Sequence, residues 1–589
     1  MNNLAPQLFS TDLPQTETVG YAQACQEVMQ RLLYALINES SDQQQLVLTT
    51  VNDQFKVRRI AFPSNGGVLT CIEANDKNIT VYLSVVLLRN DGDLTELNVM
   101  ALLNCILDLW KTEDACSEKI RAEIDNCLDH LAMAFDHEAE HSDQVSHYIK
   151  AAILAKQSVF QQRETLLNSE IIPFKGHPIH VCAKTKMGFS RQDVLAYSPE
   201  FSPKVNLQLL AVHRSHLVYS EKIDIWTKYS AELLSHKQAE DYLIMPVHPW
   251  QYEHVISKAY KTQIDSGVLF KLEDEAMEVL PTLSMRTALL PTTPNQPFYH
   301  IKVPVNIQAT SVKRSLTLRD LYNGIEFSKL IPDMEQKIPS IANKRGRMIS
   351  DVCAAHFKIQ GETNPGLSFL LRNDPINYCL PGETMVVAAA LTHSTKLHPT
   401  PLLCQFIDQS KLSVAIYLDQ LIETLLAMPL EVFLYHGIAL DLHGQNTMIV
   451  FDESHQVSAL AYRDLGSVQV ADTYQSFNQQ KHLFYGEAST FMNYRDTVSE
   501  LMHTLFNNLI GGIISCTANA YAIPEPQIWR KVKETSMRII QSCKVPDQVK
   551  NDFCEMLFSP TLMIKPLLKM RIAEKTLYQA IPNPMFNIN

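Results

Sequence analysis

Side chains suited to binding a metal ion and phosphate are concentrated near residue 445, where the sequence reads YHGIALDLHGQNTMIV and then AYRDLG. Asp441, His443, Gln445 and Asn446 precede an apolar segment, and Asp464 follows a second one. An amide oxygen and a carboxylate, together with phosphate oxygens and water, suit the octahedral oxygen coordination of Mg²⁺. The stretch therefore predicts a magnesium and phosphate site, with Asn446 and Asp464 as the protein ligands.

The two apolar segments, TMIVFD at 447–452 and VSALAY at 457–462, have the spacing of a β-hairpin. A hairpin brings its two ends together, so we expect Asn446 and Asp464 to be neighbours. Protein kinases place a loop asparagine and an aspartate across a hairpin in this way. A surface hairpin with polar ends and no function is the alternative.

A second group of polar residues lies in IIPFKGHPIHVCAKTKMGFS, at 171–190. Lysine supplies a point charge and histidine a hydrogen-bond donor, so their close spacing is typical of a loop that binds phosphate. The residues concerned are His177, His180, Lys184 and Lys186. Taken alone, the segment is better interpreted as a solvated basic loop.

Two further segments carry isolated cations. In LPTLSMRTALLP, alternation along a strand would place Ser284 and Arg286 on one face, where they could hold a phosphate or pair with an acid. In FYHIKVPVNIQATSVKRSL, Lys302 lies in an apolar strand and requires an anion. Thr310 and Ser311 read as the start of a helical turn, with Arg314 one turn further on; a capped helix start without a ligand is the alternative.

The segment MPVHPWQYEHV has a different character, because its polar residues stand between prolines and apolar side chains. His248, Trp250 and Gln251 therefore indicate a packed structural element rather than a binding site.

The composition limits the class of protein. The chain has 589 residues, 46% hydrophobic and 19% charged, which predicts a globular protein of two to four domains. No apolar run approaches the ~20 residues that span a bilayer, and the first residues lack a secretion signal, so we expect a cytoplasmic protein without a membrane segment. A net charge of −12 argues against nucleic-acid binding. The twelve cysteines are at least eleven residues apart, which argues against zinc or iron–sulfur sites.

The periodicity of apolar residues predicts an α+β multidomain fold. Residues 1–170 form a mixed α/β domain. It has a helix at 21–38, strands within 45–88 and helices at 95–112, 117–135 and 144–168. Residues 171–315 form a β-rich middle domain that carries most of the unusual polar residues. Residues 316–589 are mainly helical, with helices at 411–427, 494–513, 526–543 and 560–578, and contain the hairpin.

Six blocks in one order, between about residues 170 and 580, resemble the NRPS-independent siderophore synthetases, the family of aerobactin synthetase. The blocks are GHPIHVCAK, MPVHPWQ, PTLSMRT, KVPVNIQATSVKR, HGIALDLHGQN and RDLG. The resemblance implies a cupped hand of thumb, fingers and palm, commonly dimeric. It implies ATP- and Mg²⁺-dependent adenylation of a citrate or similar carboxylate, then condensation with a polyamine, amino acid or hydroxylamine, which releases AMP and pyrophosphate.

The resemblance also implies roles for single residues. ATP contacts fall on Ser284, Arg286, Lys302 and, near the phosphates, His177 or His180; Lys184 lies in the same block. Thr310 and Arg314 line the nucleotide and polycarboxylate pocket, His443 meets the acid, and Asn446 and Asp464 hold Mg²⁺. The chain has Val181, Lys186 and Asp441 where the family often has proline, arginine and glutamate.

Two other functions compete with this one. The 436–466 segment also resembles a small-molecule kinase, although no glycine-rich nucleotide loop accompanies it. C-terminal parts of the family resemble ferric reductases, which suggests a non-catalytic or reductase role in iron handling. Cys516, Cys543 and Cys554 are too dispersed for the iron–sulfur centre that a reductase would need.

Overall fold

The structure is a computed structural model. It describes residues 18–39, 46–52, 55–61, 68–76, 79–88, 94–153, 158–202, 204–231, 240–291, 297–310, 312–359, 362–474 and 481–588. Between 46 and 95 it describes the backbone alone. Residues 1–17, parts of the turns between the first strands, and Ser311 lie outside the described residues.

The N-terminal part is a helical layer with an antiparallel sheet. Its helices are Val19–Glu39, Val99–Leu109, Asp114–Glu140, Ser142–Ile153 and Val159–Ile171. The sheet is a meander of Leu46–Asn52, Phe55–Ala61, Val68–Asp76, Ile79–Leu88 and Leu94–Glu96. In the first helix Ala24, Val28, Leu32 and Leu36 are buried at helical spacing, as predicted. The helix predicted at 144–168 is two helices.

An eight-stranded antiparallel sheet forms the middle of the molecule. Its order is Leu217–Tyr219, Asp351–Ile359, Glu362–Asn373, Tyr299–Lys302, Thr287–Leu289, Leu269–Pro281, Val205–His213 and Tyr242–Val247. Two of its strands come from 351–373, so the sheet extends past residue 315, where the sequence predicted mainly helix. One face packs on an apolar core around Trp226, Phe357 and Phe369.

The C-terminal part is mainly helical. Its longer helical segments are Val414–His436, Tyr494–Leu501, Met502–Ile510, Gly511–Tyr521, Glu525–Ser542, Asp547–Leu557 and Leu567–Ala573. The predicted hairpin is present as Thr447–Phe451 and Val457–Tyr462, between Gly346–Met348 and Thr384–Val387 in a four-stranded sheet. The helix predicted at 560–578 is wrong over its first part, because Thr561–Ile564 pairs with Gln579–Pro582 and the helix begins only after Pro566.

Short elements connect these parts. Paired strands are Lys186–Met187, Gln308–Ala309 and Val312–Lys313, and then Ile438–Ala439, Gln469–Ala471 and Phe491–Met492. Short helical segments are Arg191–Tyr197, Arg214–His216, Asp224–Ser230, Pro249–Gln251, Tyr252–Ile256, Ser257–Ala259, Lys261–Asp265, Arg319–Asn323, Gly324–Ser328, Ile331–Lys337, Pro339–Ala342, Pro375–Tyr378, Ala388–Leu391, Leu402–Gln409, Leu465–Ser467, Lys481–Leu483 and Glu487–Thr490. No single helix among the described residues has the length and apolarity to cross a bilayer; only Leu402–Gln409 and Val414–His436 taken together, bent by 119°, meet both requirements.

Candidate functional site

Two adjoining cavities contain nearly all the predicted site residues. The larger is a cleft of about 990 Å³, and the smaller is an inner cavity of about 160 Å³. Ser284, Arg314, His443 and Gln445 line both. Basic side chains outnumber acidic ones in the lining of the inner cavity, although Arg372 and Arg463 also pair with Asp351 and Glu170, which do not line it. The lining has Arg286, Lys302, Arg314, Arg372 and Arg463, with Asp320, Asp441 and Asp464. Such a cavity suits a polyanion.

Asp464 is the centre of charge in the inner cavity. It directly follows the hairpin and has a left-handed backbone with φ of 79°, which is uncommon for a residue other than glycine. Its carboxylate accepts two bonds from the ammonium of Lys302, at 2.9 and 3.1 Å, and one from Nη2 of Arg372 at 2.8 Å. The anion that the sequence required for Lys302 is therefore Asp464.

Burial and charge oppose each other at this ion pair. Burial alone would raise the pKa of Asp464, but the charges of Lys302 and Arg372 outweigh it and hold that pKa well below the usual range. Burial lowers the pKa of Lys302, and Asp464 opposes that change. Arg372 also donates from Nε to Asp351, at 2.5 Å, so its guanidinium is fixed between two carboxylates. Asp464 is thereby kept ionised and oriented.

Ser284 and Arg286 lie in a turn rather than on a strand, so the prediction that strand alternation aligns them is wrong. The turn joins Leu269–Pro281 to Thr287–Leu289, and its Met285 has a φ of 61°. Ser284 Oγ accepts the N–H of Thr287 at 3.1 Å, and Arg286 donates from Nη1 to the carbonyl of Ser315. Both residues nevertheless line the inner cavity, because the turn closes its edge.

The predicted helix start at Thr310 is also wrong. Gln308–Ala309 and Val312–Lys313 form a two-stranded hairpin, and Thr310, with φ of 56°, lies at its tip. Arg314 Nη2 donates to Thr310 Oγ1 at 3.2 Å, so the two residues are adjacent, but through a hairpin instead of a helical turn. Burial, followed by the charge of Arg286, lowers the pKa of Arg314 to about 10.

The 441–446 loop supplies the remaining groups of the inner cavity. His443 Nε2 lies 3.7 Å from Asp441 Oδ2, and Asn446 Nδ2 donates to the Asp441 carbonyl at 3.4 Å. The hairpin pairs Thr447 with Tyr462, which brings Asn446 and Asp464 to the same cavity, as the sequence predicted.

The donor set suits Mg²⁺ in part. No cluster of three His, Cys, Asp or Glu side chains able to hold a metal occurs among the described residues. Mg²⁺ usually takes only one or two carboxylates and completes its shell with phosphate and water oxygens. The Asn446 amide and the Asp464 carboxylate therefore suit an ion that arrives with a phosphate. They could hold it once Asp464 exchanges a contact with Lys302.

Known proteins resemble this chain in sequence and in fold. Residues 165–393 match the model of the IucA / IucC family, and residues 415–578 match the model described as ferric iron reductase FhuF-like transporter. Staphyloferrin A synthase of Staphylococcus aureus is 24% identical over 82% of this chain and 86% of its own length. In sequence the chain is thus similar to the IucA / IucC family over residues 165–393.

Other relatives extend the likeness. D-ornithine–citrate ligase of Staphylococcus aureus is 21% identical over 83% of this chain and 80% of its own length. The crystal structure of the petrobactin biosynthesis protein AsbB from Bacillus anthracis has a TM-score of 0.78 over 97% of this chain and 96% of its own, at 19% identity. The structure of ATP-bound aerobactin synthetase IucA from Klebsiella pneumoniae has a TM-score of 0.75 over 97% of this chain and 100% of its own, at 16% identity. These structures share the α+β fold.

The 176–186 block lines the large cleft but not the inner cavity. Lys184 and Lys186 share the buried carboxylate of Glu200, which pairs with Lys184 and lies 3.5 Å from Lys186 Nζ. The pKa of His180 is lowered to about 3, first by burial and then by the charges of Arg31, Arg571 and Arg314. The His180 imidazole is therefore neutral. The block is a buried cationic wall and not a solvated loop.

The sequence missed the residues that hold the site together. Glu170 and Arg463 form a buried ion pair, and Arg372 and Asp351 fix Asp464. Arg463 belongs to the RDLG block, which is a signal that could have been used. Glu170 carries none, because its partner is distant in sequence. By contrast, His248, Trp250 and Gln251 are buried, and Gln251 bonds the backbone of Asn306 and Gly366, which confirms their structural role.

Proposed function

We propose that this protein is a ligase of siderophore biosynthesis, which uses ATP and Mg²⁺ to adenylate a carboxylate of citrate or a similar acid and joins it to an amine. Relatives named as citrate ligases of D-ornithine and of L-2,3-diaminopropanoate, each matched over about four fifths of this chain, support the reaction class. The ATP in the related IucA structure supports the nucleotide.

The observation that carries the proposal is the adjacency of the two cavities. The cationic inner cavity has the charge to hold a triphosphate, and the cleft beside it has room for an acid and an acceptor. Arg314 and His443 line both, so a group bound to the acid side meets the phosphate side there. Adenylation requires this contact between a carboxylate and the α-phosphorus.

The chemistry follows from the charges. A carboxylate oxygen of the acid attacks the α-phosphorus, forming the acyl-adenylate and releasing pyrophosphate. Arg286 and Lys302 neutralise charge that develops on the phosphates. Mg²⁺, when bound by Asn446 and Asp464, adds to that neutralisation. Arg314 and His443, with Thr310, hold the other carboxylates of the acid and so select the one that reacts.

The second half-reaction needs no covalent enzyme intermediate. The amine attacks the acyl carbon, the C–O bond to phosphate breaks, AMP leaves, and the ammonium proton passes to solvent or a nearby base. We assign this proton to His443, which is half-buried beside Asp441. His177, His180 and Lys184 form the cleft wall near the phosphates. The same proposal includes a division into thumb, fingers and palm at about 1–170, 171–315 and 316–589. It also includes a homodimer and a cytoplasmic location.

A hydroxamate-trapping screen tests this function. Purified protein is incubated with ATP, Mg²⁺, hydroxylamine and one of a series of carboxylic acids. We expect hydroxamate and stoichiometric AMP and pyrophosphate with citrate or a close analogue. If no acid in the series gives hydroxamate, the proposal is overturned.

The same products decide the alternatives. ADP without AMP would indicate a small-molecule kinase, for which the metal hairpin is also suited. The match of 415–578 to a ferric reductase-like model favours testing reduction of a ferric chelate. Among the described residues the cysteines are unpaired by disulfides and form no metal cluster, which does not support an iron–sulfur centre.

A further inference from the structure

Two arginines line the described part of the large cleft, and they share an unusual state. Arg314 comes from the family's T-S-x-x-R block, whereas Arg31 comes from the N-terminal helix Val19–Glu39 and belongs to no recognised block. Arg31 is only 3% exposed. Nε of Arg314, and both Nε and Nη1 of Arg31, are buried without a hydrogen-bond partner in the described structure. A buried N–H group without a partner is costly and calls for a ligand.

The surroundings of Arg31 do not neutralise it. Its Nη2 donates to the carbonyl of Lys175 at 3.0 Å and lies 3.6 Å from Glu27 Oε2. Glu27 Oε1 is already bound to Lys175 Nζ at 2.7 Å. One carboxylate therefore serves two cations, and Arg31 has the longer of the two contacts.

Arg31 is also close to the proposed reaction centre. The pKa of His177 lies well below its usual range. The largest cause is burial, followed by the charges of His180, His443, His503 and Arg31. His177 is therefore a neutral group within electrostatic reach of both Arg31 and His443. The His180 imidazole is likewise within electrostatic reach of Arg31 and Arg314.

We infer that Arg31 binds a carboxylate group of a reactant, at a second anionic subsite of the cleft beside the one formed by Arg314. The two unpartnered groups of Arg31, Nε and Nη1, point in different directions, so each can donate a single charge-assisted hydrogen bond to a carboxylate oxygen. The inference rests on the proposed function. The carboxylate belongs either to an amino-acid acceptor or to the acid that is activated.

Two substitutions separate charge from geometry at this position. Arg31→Gln removes the charge and keeps much of the length, whereas Arg31→Lys keeps the charge and loses the Nε and Nη1 donors. Arg538→Gln is the matched control, because Arg538 is exposed on Glu525–Ser542 and pairs with Glu423 at the surface. Thermal unfolding of each variant separates a loss of the subsite from a loss of the fold.

The source of the carboxylate is decided with acceptors that differ only in that group. Turnover is measured with ornithine and with 1,4-diaminobutane, and hydroxylamine serves as a small acceptor without a carboxylate. If the acceptor supplies the carboxylate, Arg31→Gln raises the KM for ornithine about tenfold or more. The KM values for 1,4-diaminobutane, for hydroxylamine and for the acid then stay unchanged. If the acid supplies it, the KM of the acid rises by a similar factor with every acceptor. Arg31→Lys gives an intermediate rise in either case.

An unchanged KM for both acid and ornithine in a folded Arg31→Gln protein would overturn the subsite. So would a uniform fall in kcat with all substrates, which would indicate a structural role alone. Failure of the proposed function is distinguished from these results, because the unsubstituted protein would then form no hydroxamate with any acid. Should Arg31→Gln fail to fold, the KM values of Arg31→Lys decide the question.

Discussion

Glu170 and Arg463 lie 293 residues apart in the sequence and form a buried ion pair, with Oε1 and Nη1 2.5 Å apart. Glu170 Oε2 also accepts the N–H of Leu283 at 3.1 Å. Arg463 donates to the carbonyl of Gln445 from Nη2 at 2.7 Å and from Nε at 3.1 Å. The pair therefore joins the turn that carries the S-x-R block to the loop that carries the H-x-Q-N block.

We predict that Glu170→Ala weakens ATP binding by more than the loss of stability alone would explain. Removal of one partner of a buried pair costs about 3–5 kcal/mol and leaves Arg463 free to reorient, so both loops lose their common support. The dissociation constant of ATP should rise about tenfold or more by isothermal titration at a temperature where the variant is folded.

Glu383→Ala is the control for that variant. Glu383 forms an equally buried, two-pronged pair with Arg347, at 2.5 and 2.7 Å, but lines neither cavity. It should lower the unfolding temperature to a similar extent and leave ATP affinity within about twofold. Equal loss of ATP affinity in both variants would show that the Glu170 pair contributes only to stability.

We predict that Asp464→Asn abolishes adenylation, with a fall of about 100-fold or more in acid-dependent pyrophosphate exchange. The amide is a weaker metal ligand, and Lys302 and Arg372 lose the charge that they share. The Mg²⁺ concentration for half-maximal exchange should also rise. A normal Mg²⁺ dependence in this variant would contradict Asp464 as a metal ligand.

We predict that Arg314→Ala and His443→Ala each abolish condensation while the protein still folds. Arg314 makes a side-chain bond only to Thr310 among the described residues, and His443 contacts Asp441 at 3.7 Å, so few structural contacts are lost. Turnover is measured with the preferred acid and amine, and folding by circular dichroism. Near-normal turnover in both variants would refute the assignment of the acid-binding site.

We predict a dependence of stability on pH that originates at Glu39. Its carboxylate accepts the N–H groups of Leu568 and Lys569, which anchors the helix carrying Arg31. Burial, only partly opposed by these bonds, raises its pKa from 4.5 to about 7. The folded state therefore binds this proton more tightly than the unfolded state does. Its contribution to stability is complete below pH 4.5 and is lost as the pH rises through 7.

Glu39→Gln provides the measurement, because the amide cannot ionise and remains a hydrogen-bond acceptor. The free energy of unfolding of the natural protein should fall relative to this variant between pH 5 and 8, by up to roughly 3 kcal/mol. A constant difference across that range would refute the raised pKa.

Local pattern was sufficient for the elements and for the composition of the site. The hairpin at 447–462, the first helix, and the strands within 45–88 were correct because each depends on periodicity within about ten residues. The sequence also placed Asn446 and Asp464 together, because a hairpin fixes its own ends. The demand of Lys302 for an anion followed from its apolar strand.

Local pattern failed where a backbone conformation depends on distant contacts. Thr310 and Met285 adopt left-handed φ values, which no helix or strand periodicity encodes. The segment at 560–578 lost its first turns of helix to a strand pairing with Gln579–Pro582. In each case tertiary contacts outweighed a weak local preference.

The sequence by itself determined which chemical groups the protein has and, through its ordered blocks, the family that it resembles. The tertiary structure alone decided how those groups are paired. Lys302 and Arg372 converge on Asp464, Arg463 on Glu170, and Arg31 reaches the cleft from the N-terminal helix. The physical reason is that the energy of a buried charge depends on what surrounds it in space, and folding brings together groups that are hundreds of residues apart.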